Sequence, residues 1–296
     1  MAGTIAPPRR PVTWDALGAR RRTARAGGHR CGATASTVAD TGGVPVIDLN
    51  ADLAEHDVLT ADDVSLLDVV TSASLACGFH AGSARVMRDA AEACVARGVA
   101  IGAHVSYRDR AGFGRRVLEV APDRLAADVV EQWEALVAEA AAAGGTVAYV
   151  KPHGALYTTM AADPEVAATV TAALAGRCRV LVAPPASALA GPAAAAGIRM
   201  VTEGFCDRGY DADGRLVPRT HAGALLDGPA AVGDRARSLA VDRGVHAVDG
   251  AWVALEVETL CVHGDRPGAG DRARAARDAL HGSGVRVRSF VTADPS

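Results

Sequence analysis

From residue 44 onward, strand-like and helix-like segments alternate, and this alternation constrains the fold more than any other feature. The segments that read as strands are 44–53, the end of 67–80, 99–105, 146–154, 179–185, 198–205, part of 246–265 (where VDGAW predicts a hairpin turn) and 285–291. Helical periodicity lies between them, at 84–98 (closed by Gly98), 123–145, 164–176, 234–244 and 269–281, and a short alanine-rich helix follows 179–185. Short apolar strands separated by helices are typical of parallel β/α architecture. About seven such units favour an α/β fold closed into a β/α barrel.

The chain of 296 residues contains no linker rich in proline, glycine or serine, so we predict a single barrel domain over residues 44–296. Residues 1–43 differ in character, with seven arginines and two aspartates. They lack the apolar run of a secretory signal. We therefore expect residues 1–43 to be a disordered or mis-assigned N-terminal extension.

Composition excludes several classes of function. The net charge of −3 gives no reason to expect binding to nucleic acid or to a membrane surface. No apolar run approaches the roughly 18 residues of a membrane span. The six cysteines show no C-x-x-C spacing, which favours reduced thiols in a cytoplasmic protein.

Polar residues occupy every second position of the first strand, where Asp48, Asn50 and Asp52 alternate with apolar neighbours. A period of two places the three polar side chains on one face. An edge strand with one wet face would explain the pattern. A barrel covers both faces, however, and buried aspartates then need hydrogen-bond, cation or metal partners. Asn50 is also the only asparagine of the chain.

Ionisable residues also collect where the predicted strands end. His80 ends the second strand, His104 ends the third, and the fourth supplies Lys151 and His153, which are two residues apart and so on one face. Lys151 is the only lysine among 31 basic residues. In β/α barrels the active site lies where the strands end, so these side chains, together with Asp48, Asn50 and Asp52, are candidate catalytic groups.

The later strands continue the pattern and supply candidate substrate-binding groups. These are Glu203, Asp207, Arg208, His263 and Asp265, to which a loop adds Arg219. Arginine holds a carboxylate or a phosphate with two parallel hydrogen bonds, and Arg115 and Arg116 share that chemistry. No phosphate-binding loop of the G-x-x-x-x-G-K-[ST] type is present. Cys77 could be a nucleophile, but a small buried thiol is the stronger interpretation.

Six ordered stretches resemble the LamB/YcsF family. They are IDLNADLAE, TSASLACGFHAG, GAHVSYRDRAGFGRR, YVKPHGALY, EGFCDRGYDADGRLVPR and TLCVHGD. The resemblance covers roughly residues 46–290. The chain departs from the family's usual residues at five positions: glycine is usual at Ala54, asparagine at Ser74 and Thr158, aspartate at Ser83, and proline at Val105.

The resemblance implies a barrel related to glycoside hydrolases and polysaccharide deacetylases. It also implies the A subunit of an ATP-dependent 5-oxoprolinase, which cleaves 5-oxo-L-proline to L-glutamate while ATP, with magnesium, becomes ADP and phosphate. Subunits B and C would be the partners. Such chemistry needs a cation near developing negative charge, which Lys151 supplies as a compact point charge. It also needs a base, for which Asp48, Asp52, His80 and His104 are candidates.

Two other interpretations remain open from sequence. In the first, Asp52, His80 and His104 could form a facial metal site of a metal-dependent deacetylase or amidohydrolase. In the second, the chain could be a non-catalytic substrate-binding subunit whose chemistry lies in a partner. The missing phosphate loop favours the second interpretation.

Overall fold

Seven parallel strands close into a barrel in the computed structural model, which describes residues 44–291. The first strand pairs with the second on one side and with the last barrel strand on the other, which closes the cylinder. The barrel strands are β1 Val46–Leu53, β2 Ser72–Ala76, β3 Ala100–His104, β4 Val147–Val150, β5 Val180–Ala183, β6 Arg199–Phe205 and β9 Thr259–His263. The predicted β/α barrel is confirmed, and the predicted extension 1–43 lies outside the described residues.

Helices surround the barrel and cover its outer face. They are α1 Ala61–Leu67, α2 Ala84–Arg97, α3 Pro122–Ala142, α4 Gly154–Ala162, α5 Pro164–Leu174, α6 Ala190–Ala195, α7 Pro229–Arg237 and α8 Ala269–Gly282. None of the helices in this part of the chain is both long and apolar enough to cross a membrane. Gly98 ends α2 in the left-handed conformation, as the sequence predicts.

The first strand shows why this sequence forms a barrel with a polar interior. Leu49, Ala51 and Leu53 are fully buried in the main apolar core, which also contains the surrounding helices. The alternate residues contact side chains on neighbouring strands or, in the case of Asp52, Lys151 across the barrel, and they are at most 5% exposed. The interpretation of β1 as an edge strand with a wet face is therefore wrong.

Two helices were not predicted from the sequence. The first is α1, which begins at Thr60, whose hydroxyl accepts from the Asp63 amide while the Asp63 side chain accepts from Thr60. This capping box is the signal that could have located it. The second is α4, which follows β4 directly and carries no clear apolar periodicity. Asp163 caps the next helix at its N-terminus and so separates α5 from α4.

The C-terminal strand is shorter than the predicted 285–291. Only β10, Arg286–Val287, pairs with the start of β1. The chain then turns Phe290 against Tyr149, with ring centroids 5.1 Å apart, and both rings pack with Val182 and Val201. The remaining pair, β7 Gly244–His246 and β8 Trp252–Ala254, forms the hairpin that the VDGAW turn predicts.

Ala54 has a left-handed backbone, with φ of 61°, directly after β1. Glycine is usual at this position in the family pattern. A left-handed conformation costs an L-residue roughly 1–2 kcal/mol. The turn that follows β1 therefore stores backbone strain in this chain.

We predict that Ala54→Gly keeps or raises the free energy of unfolding, by up to about 1 kcal/mol. The relief of backbone strain outweighs the roughly 0.8 kcal/mol lost with one buried methyl group. The matched control is Ala73→Gly in β2, which is equally buried but does not have positive φ, and should destabilise by about 1 kcal/mol. Urea unfolding measures the free energy of unfolding of both variants. If both variants lost the same stability, the backbone at Ala54 would not be strained.

Candidate active site

Lys151 lies at the centre of the barrel as the cation of a buried ion triad. Its Nζ lies 2.8 Å from Asp52 Oδ1 and 2.7 Å from Glu203 Oε1, and it donates to Asn50 Oδ1 at 3.2 Å. The residue is 2% exposed. Burial alone would lower the pKa of Lys151, but Asp52 together with Cys261 and Glu203 outweighs burial and raises it well above its usual value. The ammonium group is therefore permanently charged.

A network of hydrogen bonds among neighbouring side chains holds the triad in place. Asn50 Nδ2 donates to Glu203 Oε1 at 3.0 Å and to Thr259 Oγ1 at 2.7 Å. The Thr259 hydroxyl donates in turn to Asp48. An amide is needed at position 50 because this side chain both accepts from Lys151 and donates to two oxygens. This explains why an asparagine is present between two aspartates.

Asp48 lies deeper than the other polar residues of β1. It accepts hydrogen bonds from Thr71 and Ser72, at 2.7 and 2.8 Å, besides the one from Thr259. Burial raises the pKa of Asp48 to about 6, although these hydrogen bonds oppose the shift. All three donors to Asp48 are protein hydroxyl groups. Asp48 therefore holds Thr259 in place, and Thr259 in turn accepts from Asn50.

Three histidines and Glu55 form a second group beside the triad. The predicted His80, His104 and His153 meet there, and the rings of His80 and His153 stack with centroids 3.8 Å apart. Glu55 Oε1 lies 3.3 Å from His80 Nε2 and 3.3 Å from His153 Nδ1. His104 Nε2 lies 2.9 Å from His153 Nδ1 and 3.4 Å from Asp52 Oδ2. His104 therefore links this group to the triad.

The three imidazoles differ in their affinity for a proton. Burial would lower the pKa of His104, but Asp52 outweighs burial and raises it. Burial lowers the pKa of His80 well below its usual value, and the nearby His104 lowers it further. The pKa of His153 is lowered in the same way, by burial first and then by His80 and His104. Of the three rings, His104 therefore takes up a proton most readily.

Asp207 and His263 form a hydrogen-bonded pair at the ends of β6 and β9. His263 Nδ1 donates to Asp207 Oδ1 at 2.8 Å, and the His263 amide donates to Asp207 Oδ2 at 3.1 Å. Burial would raise the pKa of Asp207, but His263 and Arg266 outweigh burial and lower it to about 2. The His263 ring stacks on Phe205 with centroids 5.3 Å apart. The pair therefore holds one imidazole in a fixed orientation with Nε2 facing away from Asp207.

Two arginines converge on Asp265 at the rim of the site. Arg115 Nη2 and Arg219 Nη1 each lie 2.7 Å from Asp265 Oδ2. Arg208 is differently engaged: it is buried and donates to the backbone oxygens of Ala224 and Val217. Burial lowers the pKa of Arg208 to about 10. Its described bonds hold the loop after β6, and its predicted substrate contact stays a prediction.

Some residues of the site escaped sequence reasoning. Glu55 is the most important, and its spacing of three residues after Asp52 was the available signal. Ser106, which pairs with His80 Nδ1 at 3.0 Å, and Thr259 had no distinctive pattern. Cys77 is buried and its thiol donates to the Leu75 carbonyl. Burial raises the pKa of Cys77 to about 12, which agrees with its interpretation as a small buried thiol.

The departures from the family pattern near the site have visible structural roles. Ser74 shares a hydrogen bond of 3.2 Å with the Tyr149 hydroxyl inside the barrel. Ser83 caps α2 by accepting from the Val86 amide, a role that serine and aspartate both perform. Thr158 bonds back to the Ala155 carbonyl within α4.

Metal-ligand atoms lie close together at two places among the described residues. One group contains Glu55, His80, His104 and His153, and the other contains Asp52, Cys261 and His263. The predicted facial set of Asp52, His80 and His104 divides between these groups, because Asp52 Oδ1 pairs with Lys151. That set stays a prediction.

A closed parallel barrel with buried ionisable groups at the carboxyl ends of its strands has the architecture of a β/α-barrel enzyme. Sequence comparison shows which protein family the chain resembles. The model of the LamB/YcsF family matches residues 47–294. A Mycobacterium avium protein named as the A subunit of 5-oxoprolinase is 51% identical over 257 residues, covering 82% of this chain and 98% of its own. A Streptomyces griseus protein of the same name is 50% identical over 251 residues, covering 83% and 100%.

A solved structure agrees with these relatives. The crystal structure of a lactam utilization protein from Thermus thermophilus matches with a TM-score of 0.76 at 39% identity, over 82% of this chain and 99% of that chain. The chain therefore belongs to the LamB/YcsF family.

We predict that Lys151→Met lowers the free energy of unfolding by about 3–5 kcal/mol near neutral pH, because it leaves buried carboxylates without a cation. In the native chain, burial would raise the pKa of Asp52, but His104 and Lys151 outweigh it and hold it low. Without Lys151 the pKa of this carboxyl rises, because one of the two groups that oppose burial is lost, so it takes up a proton more readily as pH falls and the deficit shrinks toward about pH 5.

The control for this prediction is Arg88→Met, which removes an exposed cation from a surface pair with Glu139. It should cost less than about 1 kcal/mol at either pH. Urea unfolding near pH 7.5 and near pH 5 measures both variants. A deficit of Lys151→Met that is the same at the two pH values would show that lost packing, not unpaired charge, causes the effect.

Proposed function

We propose that this chain is the A subunit of an ATP-dependent 5-oxoprolinase, which opens 5-oxo-L-proline to L-glutamate while ATP is hydrolysed to ADP and phosphate. The observation that carries the proposal is the full-length similarity to proteins named as the A subunit of 5-oxoprolinase, at 50–51% identity over 98–100% of their length. The description of the Thermus protein as a lactam utilization protein supports the same substrate class, because 5-oxoproline is a lactam.

The chemistry starts from a poor electrophile, because resonance stabilises the lactam amide. Phosphorylation of its carbonyl oxygen would activate the carbonyl carbon toward water. Lys151 and its ion partners Asp52 and Glu203 provide a fixed array of charge at the barrel centre, and such preorganised charge stabilises developing charge. Asp52 lies between Lys151 and His104, where it can respond to charge on either side.

His263 is the best-placed general base. Asp207 accepts from Nδ1 and thereby leaves Nε2 as the nitrogen that can take a proton from water. The ring is held further by Phe205, and its side chain is 13% exposed, so substrate can reach it. Asp48 is less suitable because its oxygens accept only from buried hydroxyl groups.

The substrate carboxylate has a candidate anchor at the rim. Arg115 and Arg219 donate to the same oxygen of Asp265, so their guanidinium groups are close and already aimed at one carboxylate. Guanidinium groups arranged in this way can hold a second carboxylate with further N–H donors. We propose that Arg219 and Arg115 position 5-oxoproline by its carboxylate.

The remaining cofactors and partners follow from the same proposal. ATP with magnesium would be the co-substrate, subunits B and C the partners, and the cytoplasm the location. A metal-dependent amidohydrolase is the second candidate, and the group of Glu55 with three histidines is the observation that favours it. A subunit that only binds substrate is the third. Dependence on ATP separates the first candidate from the second.

The decisive assay measures glutamate and phosphate release from 5-oxoproline and ATP, first with this chain alone and then with subunits B and C from the same genome. We expect coupled release only in the complex. Release by the chain alone would place the ATP chemistry inside the barrel. A folded complex that releases neither product, or that releases glutamate without ATP, would contradict the proposal.

We predict that His263→Gln lowers kcat of the complex by roughly 100-fold to 10,000-fold, the usual range for loss of a general base. Asp207→Asn should lower kcat less, because the imidazole remains but loses its orientation. KM for 5-oxoproline should change little in both variants. The matched control is Asp213→Asn, whose exposed carboxylate pairs with Arg215 outside the site. A loss confined to KM would assign His263 to substrate binding instead.

A further inference from the structure

We propose that Glu55, His80, His104 and His153 bind one divalent transition-metal ion, with zinc as the best match to their chemistry. Three imidazole nitrogens and one carboxylate oxygen form a ligand set that zinc accepts. The three histidines are 1%, 1% and 7% exposed, and the Glu55 side chain is 7% exposed. The inference is independent of the 5-oxoprolinase assignment, because it depends only on these side chains.

The first step is the tautomer of each histidine, which its outer hydrogen bond determines. The Ser106 hydroxyl donates its single hydrogen to the Tyr107 carbonyl, so it must accept from His80 Nδ1. His104 Nδ1 faces the Lys151 carbonyl at 2.9 Å and must donate to it. His153 Nε2 faces the Phe113 carbonyl at 2.9 Å and must also donate. In each ring one nitrogen is therefore a committed donor.

The second nitrogen of each neutral ring then carries a free lone pair, and the three nitrogens lie close together, although one ring of the parallel His80–His153 stack must tilt for both lone pairs to reach one ion. They belong to His80 Nε2, His104 Nε2 and His153 Nδ1, and these atoms lie within 4.8 Å of one another and of a Glu55 carboxylate oxygen. Metal-binding histidines almost always donate their other ring N–H to a carbonyl or a similar acceptor. All three rings here show that arrangement.

Electrostatics demands a cation in this group. His104 Nε2 and His153 Nδ1 lie only 2.9 Å apart, and two lone pairs at that distance repel each other. Glu55 Oε1 adds a negative charge 3.3 Å from His153 Nδ1. Either a proton on His104 or a metal ion between the atoms removes the repulsion. A metal ion does so for all four ligand atoms, whereas a proton serves one pair.

The distances also match the size of a bound metal ion. Ligand atoms at about 2.0–2.1 Å from a tetrahedral zinc ion lie about 3.3–3.4 Å from one another. The separations between Glu55 Oε1 and the nitrogens of His80, His153 and His104 are 3.3, 3.3 and 3.9 Å. With the 2.9 Å contact between His104 and His153, these values bracket the required separation.

The loop that contains Phe113 and Gly114 packs closely against the rings of His80 and His153. Gly114 has φ of 64°, and a Cβ there would lie 2.8 Å from His153 and 3.0 Å from His80. Phe113 contacts both rings edge-on, with centroids 5.4 and 5.6 Å away. The four ligands are therefore held close together before any ion binds, and coordination requires the His80 or His153 ring to tilt out of the parallel stack.

The test uses the full chain, purified without an affinity tag and without chelators. Elemental analysis by mass spectrometry should find about one zinc ion per chain, and calorimetric titration of stripped protein with Zn²⁺ should show one site. Substitution by Co²⁺ should give the intense visible absorption of a four-coordinate nitrogen and oxygen site. Stripped protein that binds neither Zn²⁺ nor Co²⁺ would overturn the proposal and leave a proton on His104 as the occupant.

Variants identify the ligands. We expect His80→Gln and His153→Gln to weaken Zn²⁺ affinity by about 100-fold or more, and Ser106→Ala by roughly 10-fold through loss of ring orientation. His263→Gln is the half-buried control and His246→Gln the exposed control, and both should keep one site. Loss of the ion in His263→Gln alone would assign it to the group of Asp52, Cys261 and His263. Circular dichroism checks the fold of each variant. The cobalt spectrum of the native chain tests the proposal even if a variant fails to fold.

Discussion

The ion triad of Lys151 with Asp52 and Glu203 is the interaction on which the rest of the barrel depends. It joins β1, β6 and the end of β4 across the axis, at a depth where water cannot compensate a missing charge. Removing one member of a buried ion group leaves the others uncompensated at high cost. The triad also determines what its neighbours must do. Asn50 accepts from Lys151 and donates to Thr259, and Thr259 in turn donates to Asp48.

The triad and the histidine group are electrostatically coupled through Asp52. One of its oxygens faces Lys151 and the other lies 3.4 Å from His104 Nε2. A positive charge in the histidine group, whether a proton or a metal ion, therefore acts on the same carboxylate as Lys151. The strained turn at Ala54 makes this arrangement possible, because it redirects the chain after β1 and brings Glu55 to the histidines while Asp52 stays with the lysine.

Sequence reasoning succeeded where periodicity or strand position carries the information. Period-two spacing placed the polar residues of β1 on one face, and the ends of parallel strands meet at one end of a barrel, so the histidines and Lys151 were expected to meet. It failed where a contact has no local signature. Thr259 lies 209 positions from Asn50, and no local sequence pattern at either residue predicts their hydrogen bond. Hydrogen-bond direction, which determines the histidine tautomers, likewise depends on three-dimensional neighbours such as Ser106.

The charge balance of the described residues bears on where a nucleotide would bind. The cations near the site are already paired, since Lys151 contacts two carboxylates while Arg115 and Arg219 share Asp265. A triphosphate needs several cations or backbone amides in a phosphate loop, and the sequence contains no such loop. A small substrate with a single carboxylate fits this balance much better. Under the proposed function, the barrel would therefore hold the lactam, and the partner subunits would supply most of the nucleotide contacts.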